Sequence, residues 1–350
     1  MKQRKRSMVG AGVSVATLML LVSGCGSTAP QANSGTTPSP NSTANGTQST
    51  GTNSGKHYTF ELITKSNASP YWLAVKQGAD DAAQKYGVTV NFEAPASGTD
   101  LATQLSMINN SVTAHVDGII LAAQSPSEVA PVQNAEKAGI PVVTVDSGVS
   151  PNVADSFLAT SNIAASKAIA QYMVKLIGTK GAYAVIDFNE ESSTGIERPQ
   201  GWNDGMAGFP NYKFIGMQIC NNSVATSQSE TEALLQAHPN INLMFGANDR
   251  SALGIANVIK NENLKGKVYV AGFDADLGEM QAIKAGYITA SILQYPYQMG
   301  YQAVQELIKI KQGQTVPKVV DTPYYLVTAQ NINTPAAIKA IQQYVPSYKG

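Results

Sequence analysis

From residue 58 onward, apolar runs of strand length alternate with segments of helical period. The runs that read as strands are Tyr58–Thr64, Thr89–Glu93, Gly118–Ala122, Pro141–Val145, Ser156–Ala159, Ala182–Asp187, Lys213–Ile219, Leu243–Gly246, Val268–Phe273 and Thr289–Leu293. Between them apolar positions recur at helical spacing. Over Tyr71–Tyr86, Leu73, Val75, Ala79, Ala82 and Tyr86 form one side, and Lys76, Asp80, Asp81 and Lys85 sit mostly on the other. Adjacent residues on a helix point ~100° apart, so Asp80 and Asp81 read as a solvated face rather than a working carboxylate pair. Strands this apolar, separated by helices, predict parallel sheets covered on both faces. Ten strands exceed one comfortable domain, and the expectation is an α/β protein with two doubly wound parallel-sheet domains.

Polar residues are placed unevenly around these runs. Five runs end in polar groups before the next helix: Ser66 to Ser69 after the first, Gln124-Ser125, Asp146, Asn248-Asp249 and Asp274 after four others. In open parallel sheets the carboxyl ends of the strands line the crevice where ligands bind. Asp and Asn also cap helix N-termini, which explains any one of these residues equally well. Five on the same edge of two sheets favour a ligand site.

The first 56 residues change the picture of where the chain works. Lys2, Arg4, Lys5 and Arg6 precede an almost uncharged stretch from Met8 to Val22. At about 15 residues it is short for a membrane span and has the length of a signal-peptide core. It ends in Leu21-Val22-Ser23-Gly24-Cys25, which resembles the bacterial lipobox, so 1–24 is expected to be a lipoprotein signal peptide and Cys25 the lipidated residue. Two or three acyl chains anchor stably where one does not. Residues 25–56 are Ser, Thr, Asn, Gly and Pro with hardly any apolar side chain, a composition expected to form a disordered tether. The remainder is long enough for two domains of ordinary size.

Charge and cysteine content narrow the function. The 24 basic and 24 acidic residues balance, and without the four leading cations the chain is mildly acidic, with no Lys/Arg block to serve nucleic acid. With Cys25 lipidated, only Cys220 remains, so no internal disulfide can form. His57, His115 and His238 are scattered, which leaves Cys220 a buried bystander rather than a nucleophile. Asp274-Ala275-Asp276 opens like a calcium loop, but its twelfth position is Ala285 rather than Glu. Gly10-Ala11-Gly12 resembles the start of a dinucleotide fingerprint but has no strand before it. No hydrolase, zinc-protease or paired-cysteine motif occurs. No metal and no cofactor is expected.

Several short motifs in order carry a resemblance. They are Asn67-Ala68-Ser69-Pro70-Tyr71-Trp72, Val116-Asp117-Gly118-Ile119-Ile120, Gly139-Ile140-Pro141-Val142-Val143-Thr144-Val145-Asp146, Glu197-Arg198 followed by Gly201-Trp202, Ala247-Asn248-Asp249, Ala271-Gly272-Phe273-Asp274 and Gln294-Tyr295-Pro296. From His57 to about Asn333 the chain resembles the type I periplasmic sugar-binding proteins, nearest the ribose-binding branch. The resemblance implies two domains joined by three crossings, near Thr160, Gln294 and Thr322, that close like a hinge on a ligand. The domains would be 57–160 plus 295–322 and 161–294 plus 323–333, with 334–350 a C-terminal tail. It implies a ligand held by Ser69, Tyr71, Trp72 and Asp146 from the first domain, by Arg198, Asn248 and Asp274 from the second, and by Gln294 at the hinge.

That set suits a polyol. Asp146 and Asp274 accept hydrogen bonds from sugar hydroxyls, while Arg198, Asn248 and Gln294 donate. Tyr71 and Trp72 offer faces to the C–H side of a sugar ring. This sequence departs from the ribose pattern at Ser69, at Tyr71 and Trp72 in place of two Phe, at Ser147 in place of a basic residue, and within Asn221-Asn222-Ser223, which replaces an aromatic and makes Asn222 a further candidate ligand residue. The departures remove a cation and an aromatic and imply a differently hydroxylated ligand. The function implied is a monomeric, non-enzymatic, extracytoplasmic binding lipoprotein of an ABC importer, with an ABC permease as its membrane partner. A lipoprotein that presents ligand to a membrane kinase or chemoreceptor, and a secreted sugar-acting enzyme using two cleft carboxylates, remain as alternatives.

Overall fold

The computed structural model describes residues 56–274 and 276–350. The expected signal peptide, Cys25 and all of the tether except Lys56 lie outside the described residues. In chain order the elements begin β1 (Thr59–Ile63), α1 (Pro70–Tyr86), β2 (Thr89–Glu93), α2 (Leu101–Thr113), β3 (Gly118–Leu121), α3 (Val129–Lys137), β4 (Val142–Val145) and β5 (Ser156–Thr160). They continue α4 (Asn162–Ile177), β6 (Gly181–Asp187), α5 (Ser193–Met206), β7 (Tyr212–Ile219), α6 (Val224–Ala237), β8 (Ile241–Gly246), α7 (Asp249–Asn261), β9 (Tyr269–Phe273), α8 (Leu277–Ala285) and β10 (Ala290–Leu293). The last are α9 (Pro296–Lys311), β11 (Val319–Thr322), β12 (Tyr325–Thr328) and α10 (Pro335–Ile341).

Two six-stranded sheets result. The first runs β11-β5-β4-β3-β1-β2 with every pair parallel, and the second runs β12-β10-β9-β8-β6-β7. Only the β10–β12 pair of the second is antiparallel. Central strands such as Gly118-Ile119-Ile120-Leu121 and Val142-Val143-Thr144-Val145 are buried at every residue, as sheets covered on both faces require. In each sheet strand order reverses direction once, between β1 and β3 and between β6 and β8. Those are the switch points at whose carboxyl side a doubly wound sheet opens a crevice.

Helix limits follow local chemistry. α1 starts at Pro70, which needs no N–H partner in the first turn, and stops at Gly87 in a left-handed conformation (φ 69°, ψ 37°). α1 and α9 cross closely because a Cβ on Gly78 would strike the Tyr297 carbonyl, and one on Gly300 the Val75 carbonyl. The chain passes between sheets three times: after β5, after β10, where α9 packs on α1, and between β11 and β12. At the first and third passages the Thr160 and Thr322 hydroxyls lie 3.4 Å apart.

The structure adds to the expected outline in three places. β11 and β12 add to the ten expected strands: β11 is an edge strand with Val319 54 % exposed and only Thr322 buried, whereas β12 is an apolar run of only four residues, Tyr325–Thr328. Leu73 and Tyr86 do not belong to the buried side of α1; Tyr71, Trp72 and Val75 point inward, and Ala74 and Gly78 are buried with them. Residues 334–350, the expected C-terminal tail, pack against the second sheet through α10. Thr334 caps α10 by accepting from the Ala337 amide, and Ala337, Ala340, Ile341 and Tyr344 are buried.

Candidate functional site

The carboxyl ends of both sheets face one another across a cavity of ≈ 60 Å³, lined from both lobes. From the first lobe, Lys65, Ser66 and Ser69 follow β1, Tyr71 and Trp72 occupy the first turn of α1, and Asp146 follows β4. Ser69 stands at the N-cap position of α1 but makes no side-chain capping bond, which leaves its hydroxyl to the cavity. The Tyr71 and Trp72 rings meet edge-on at 4.9 Å. Tyr71 Oη donates to Asp146 Oδ1 at 2.8 Å, and Lys65 Nζ lies 3.6 Å from Asp146 Oδ2.

The second lobe contributes Arg198 from α5, Asn222 before α6, Asn248 after β8 and Asp274 after β9. Arg198 is 3 % exposed and held on all sides. Its Nε donates to Asn162 Oδ1 at 3.0 Å, and one terminal nitrogen donates to the Ala247 carbonyl at 2.9 Å and to Asp274 Oδ2 at 3.4 Å. The guanidinium also sits 3.9 Å from the Phe273 ring centre, and its other terminal nitrogen reaches within 3.9 Å of Asp146 across the cleft. One cation therefore ties together the two carboxylates of opposite lobes.

Asp146 and Asp274 share a backbone peculiarity, with φ of 63° and 80°. Left-handed backbone is costly for residues with a side chain and collects at functional sites. Neither carboxylate caps a helix. The cap of α8 is Asp276, which accepts from the Glu279 amide at 2.7 Å. Asn248 does both jobs: its Oδ1 accepts from the Ser251 amide and caps α7, while its Nδ2 donates to Asn222 Oδ1 at 2.8 Å and faces the cavity.

Burial dominates the electrostatics. It raises Asp274 above the ordinary carboxylate range, against the pull of Arg198 and of the Gln294 amide. It works against charging Arg198 too, but Asp274 and Asp146 outweigh it and the guanidinium is held more firmly protonated than usual. Burial lowers Lys65, opposed chiefly by Asp146. Asp249, beside the cavity, is pushed up to about 7 by burial, with Asp274 and Asp276 adding to it.

Of the residues expected at a ligand, Ser69, Tyr71, Trp72, Asp146, Arg198, Asn222, Asn248 and Asp274 line this one cavity. Gln294 does not. It is fully buried one layer back, and its Nε2 donates to Asp274 Oδ1 at 2.6 Å, so it supports the carboxylate. The cavity also carries a cation that was not expected there. Ser147 turns away to donate to the Ala123 carbonyl, and Lys65, absent from the expected ligand set, brings an ammonium to the cavity. Its one signal was a lone charge between Thr64 and Ser66 at a strand end. Lys65 Nζ also donates to Thr194 Oγ1 at 3.4 Å across the cleft, near a second bridge from the Gly148 amide to Ser193 Oγ at 3.3 Å.

Among the described residues no cluster of three His, Cys, Asp or Glu is placed to hold a metal ion, and none of their helices is long and apolar enough to cross a membrane. Cys220 is buried against Ser251 Oγ, with burial raising its thiol.

Comparison with known proteins places this geometry. The chain is 27 % identical over 269 residues to the D-allose-binding periplasmic protein of Escherichia coli, covering 74 % of this chain and 86 % of that one. It is 30 % identical over 258 residues to a D-apiose import binding protein of Actinobacillus succinogenes, with 73 % and 82 % covered. An ABC transporter solute binding protein of Agrobacterium vitis with bound D-fucose superposes with a TM-score of 0.77 at 33 % identity, over 80 % of this chain and 98 % of the other. The periplasmic binding protein domain matches residues 60–315, and with its two lobes of the type I fold the chain belongs to the periplasmic binding protein family.

Proposed function

We propose that this protein is the extracytoplasmic binding component of an ABC sugar importer and holds one uncharged monosaccharide between its lobes. The observation that carries this is the pair Asp146 and Asp274, one from each lobe, joined through Arg198 in the cavity beside Tyr71 and Trp72. Size supports a single ring. The space between the lobes is small, ≈ 60 Å³, which favours one small ligand over a chain of joined rings. Charge supports a neutral ligand. Lys65, Arg198 and Arg250 stand against Asp146, Asp249 and Asp274 around the cavity, and Lys65 and Arg198 are already engaged by Asp146 and Asp274.

In this reading Asp146, Asp274, Asn248 and Asn222 bond sugar hydroxyls, Tyr71 and Trp72 meet the C–H face, and Ser69, Lys65 and Arg198 donate. The protein performs no reaction: Arg198 engages both cleft carboxylates, where a glycosidase needs a free acid and a nucleophile or base. The lobes are 57–160 plus 295–322 and 161–294 plus 323–333, and lipid on Cys25 holds the protein beside its permease. The relatives named for D-allose and D-apiose, and the similar structure with bound D-fucose, define the sugars to try first. A thermal-shift screen of those three with D-ribose, myo-inositol and a disaccharide tests the reading. A ligand at ~100 Kd adds ~2.7 kcal/mol of apparent stability, so one monosaccharide is expected to raise the melting temperature clearly and the disaccharide to leave it unchanged. No shift with any monosaccharide refutes the reading.

A further inference from the structure

Residues 334–350 lie beyond the 60–315 stretch matched by the family, yet they reach the supports of both site carboxylates. α10 packs on β12 of the second lobe, and Lys284 of α8 lies 5.1 Å from the Tyr348 ring centre. From there the chain runs to the first lobe. Gln343 Oε1 accepts from the Gln298 amide in the first turn of α9, and the Tyr344 ring lies 5.8 Å from that of Tyr71 on α1. Tyr344 Oη accepts from the Gln294 amide at 2.7 Å, where the chain leaves β10.

The two contacts of Tyr344 lead to different lobes. Gln294, whose backbone Tyr344 fixes, donates its side-chain amide to Asp274. Tyr71, whose ring is flanked by Tyr344 and Trp72, donates its hydroxyl to Asp146. Tyr344 itself does not line the cavity and is 6 % exposed. Burial, with Asp274 nearby, holds its phenol well above the ordinary range, so Oη keeps its proton and stays neutral. We propose that Tyr344 is a positioning residue for the binding site, and that residues 342–350 are a fourth tie across the hinge, linking the lobes behind the cleft. When the lobes move, a tie with contacts on both sides must move or break, so it sets how long a ligand is retained.

The binding arm of the test rests on the sugar reading; the exchange arm does not. Tyr344→Phe keeps the ring and removes only Oη. Hydrogen exchange of the Gln294 amide in the ligand-free protein is expected to speed up at least tenfold, while amides in β9 keep their protection; uniform loosening would mean a merely structural role. For whichever of D-allose, D-apiose, D-fucose and D-ribose binds the wild type most tightly, Kd is expected to rise about tenfold, or ~1.4 kcal/mol, through faster dissociation. Tyr344→Leu also removes the ring beside Tyr71 and is expected to shift the emission of the neighbouring Trp72; Trp202, stacked on Phe245 in the core, supplies a steady background. Unchanged sugar affinity in both variants overturns the proposal. If the wild type binds none of the four sugars, the sugar reading fails, and unchanged Gln294 exchange in Tyr344→Phe then overturns the positioning role on its own.

Discussion

Replacing Asp274 with Asn keeps the shape of the side chain and changes one oxygen into a donor. In the structure both oxygens are used: Oδ1 accepts from Gln294 Nε2 at 2.6 Å and Oδ2 from Arg198 at 3.4 Å. Whichever way an Asn amide turns, its NH2 faces one of those donors, and its remaining oxygen no longer carries charge toward the ligand. A charge-assisted hydrogen bond contributes ~1.5–3 kcal/mol, and each ~1.4 kcal/mol is tenfold in affinity. Asp274→Asn is therefore expected to weaken sugar binding roughly ten- to a hundredfold in a calorimetric titration. α8 is unaffected, because its cap is Asp276. Asp276→Ala is the matched control: it is expected to lower stability by ~0.5–2 kcal/mol through the lost cap and to leave affinity alone. Wild-type affinity in a folded Asp274→Asn variant, or an affinity loss confined to Asp276→Ala, refutes the assignment of Asp274.

Three further outcomes are expected. Expressed in a bacterium with its own leader, the protein should partition into membranes, and Cys25→Ala should release it or leave it as precursor; wild-type protein found only in the medium with a free amine at Cys25 contradicts the lipid anchor. Saturating sugar should reduce the radius of gyration in solution scattering, since the site draws on both lobes, and superimposable curves from an open ligand-free form and the complex count against hinge closure. Burial pushes Asp187 up to about 8 and Asp249 up to about 7. Raised carboxyl groups contribute stability that is full below their unfolded values near ~4 and lost as pH climbs through the folded ones. The melting temperature should accordingly be several degrees higher at pH 5.5 than at pH 8.5, at ~2–4 °C per kcal/mol, and a curve that rises across that window contradicts the buried, neutral state of these groups.

What the sequence displayed best was whatever burial on two faces demands. Ile119-Ile120-Leu121 and Val142-Val143 announce central strands because nothing polar can be afforded there, and Asp146 and Asp274 stand out because they directly follow such runs. Edge strands escape that logic. Val319 to Thr322 has one covered face and a free edge, so polar Asp321 on the exposed side costs it little. Lys65 was illegible for a different reason: the cation follows β1 while its carboxylate partner Asp146 follows β4, 81 positions on and two strands away in the same sheet. Gln294 could be placed near the hinge by its motif, but whether it meets the ligand or braces Asp274 depends on a layer of depth that no pattern encodes. Tyr344 carries no motif, and its role exists only because α10 folds back against β12.

The central claim is that one sugar ring sits between the lobes and bonds to both aspartates. Its most direct test is a crystal structure of the protein with the monosaccharide that most raises its melting temperature. A single ring is expected in the cavity, with hydroxyls within hydrogen-bond distance of Asp146 and Asp274 at once and its C–H face against Tyr71 or Trp72. A sugar bound to one lobe alone, or seated in the surface groove lined by Glu232, Pro239 and Glu262, would contradict it.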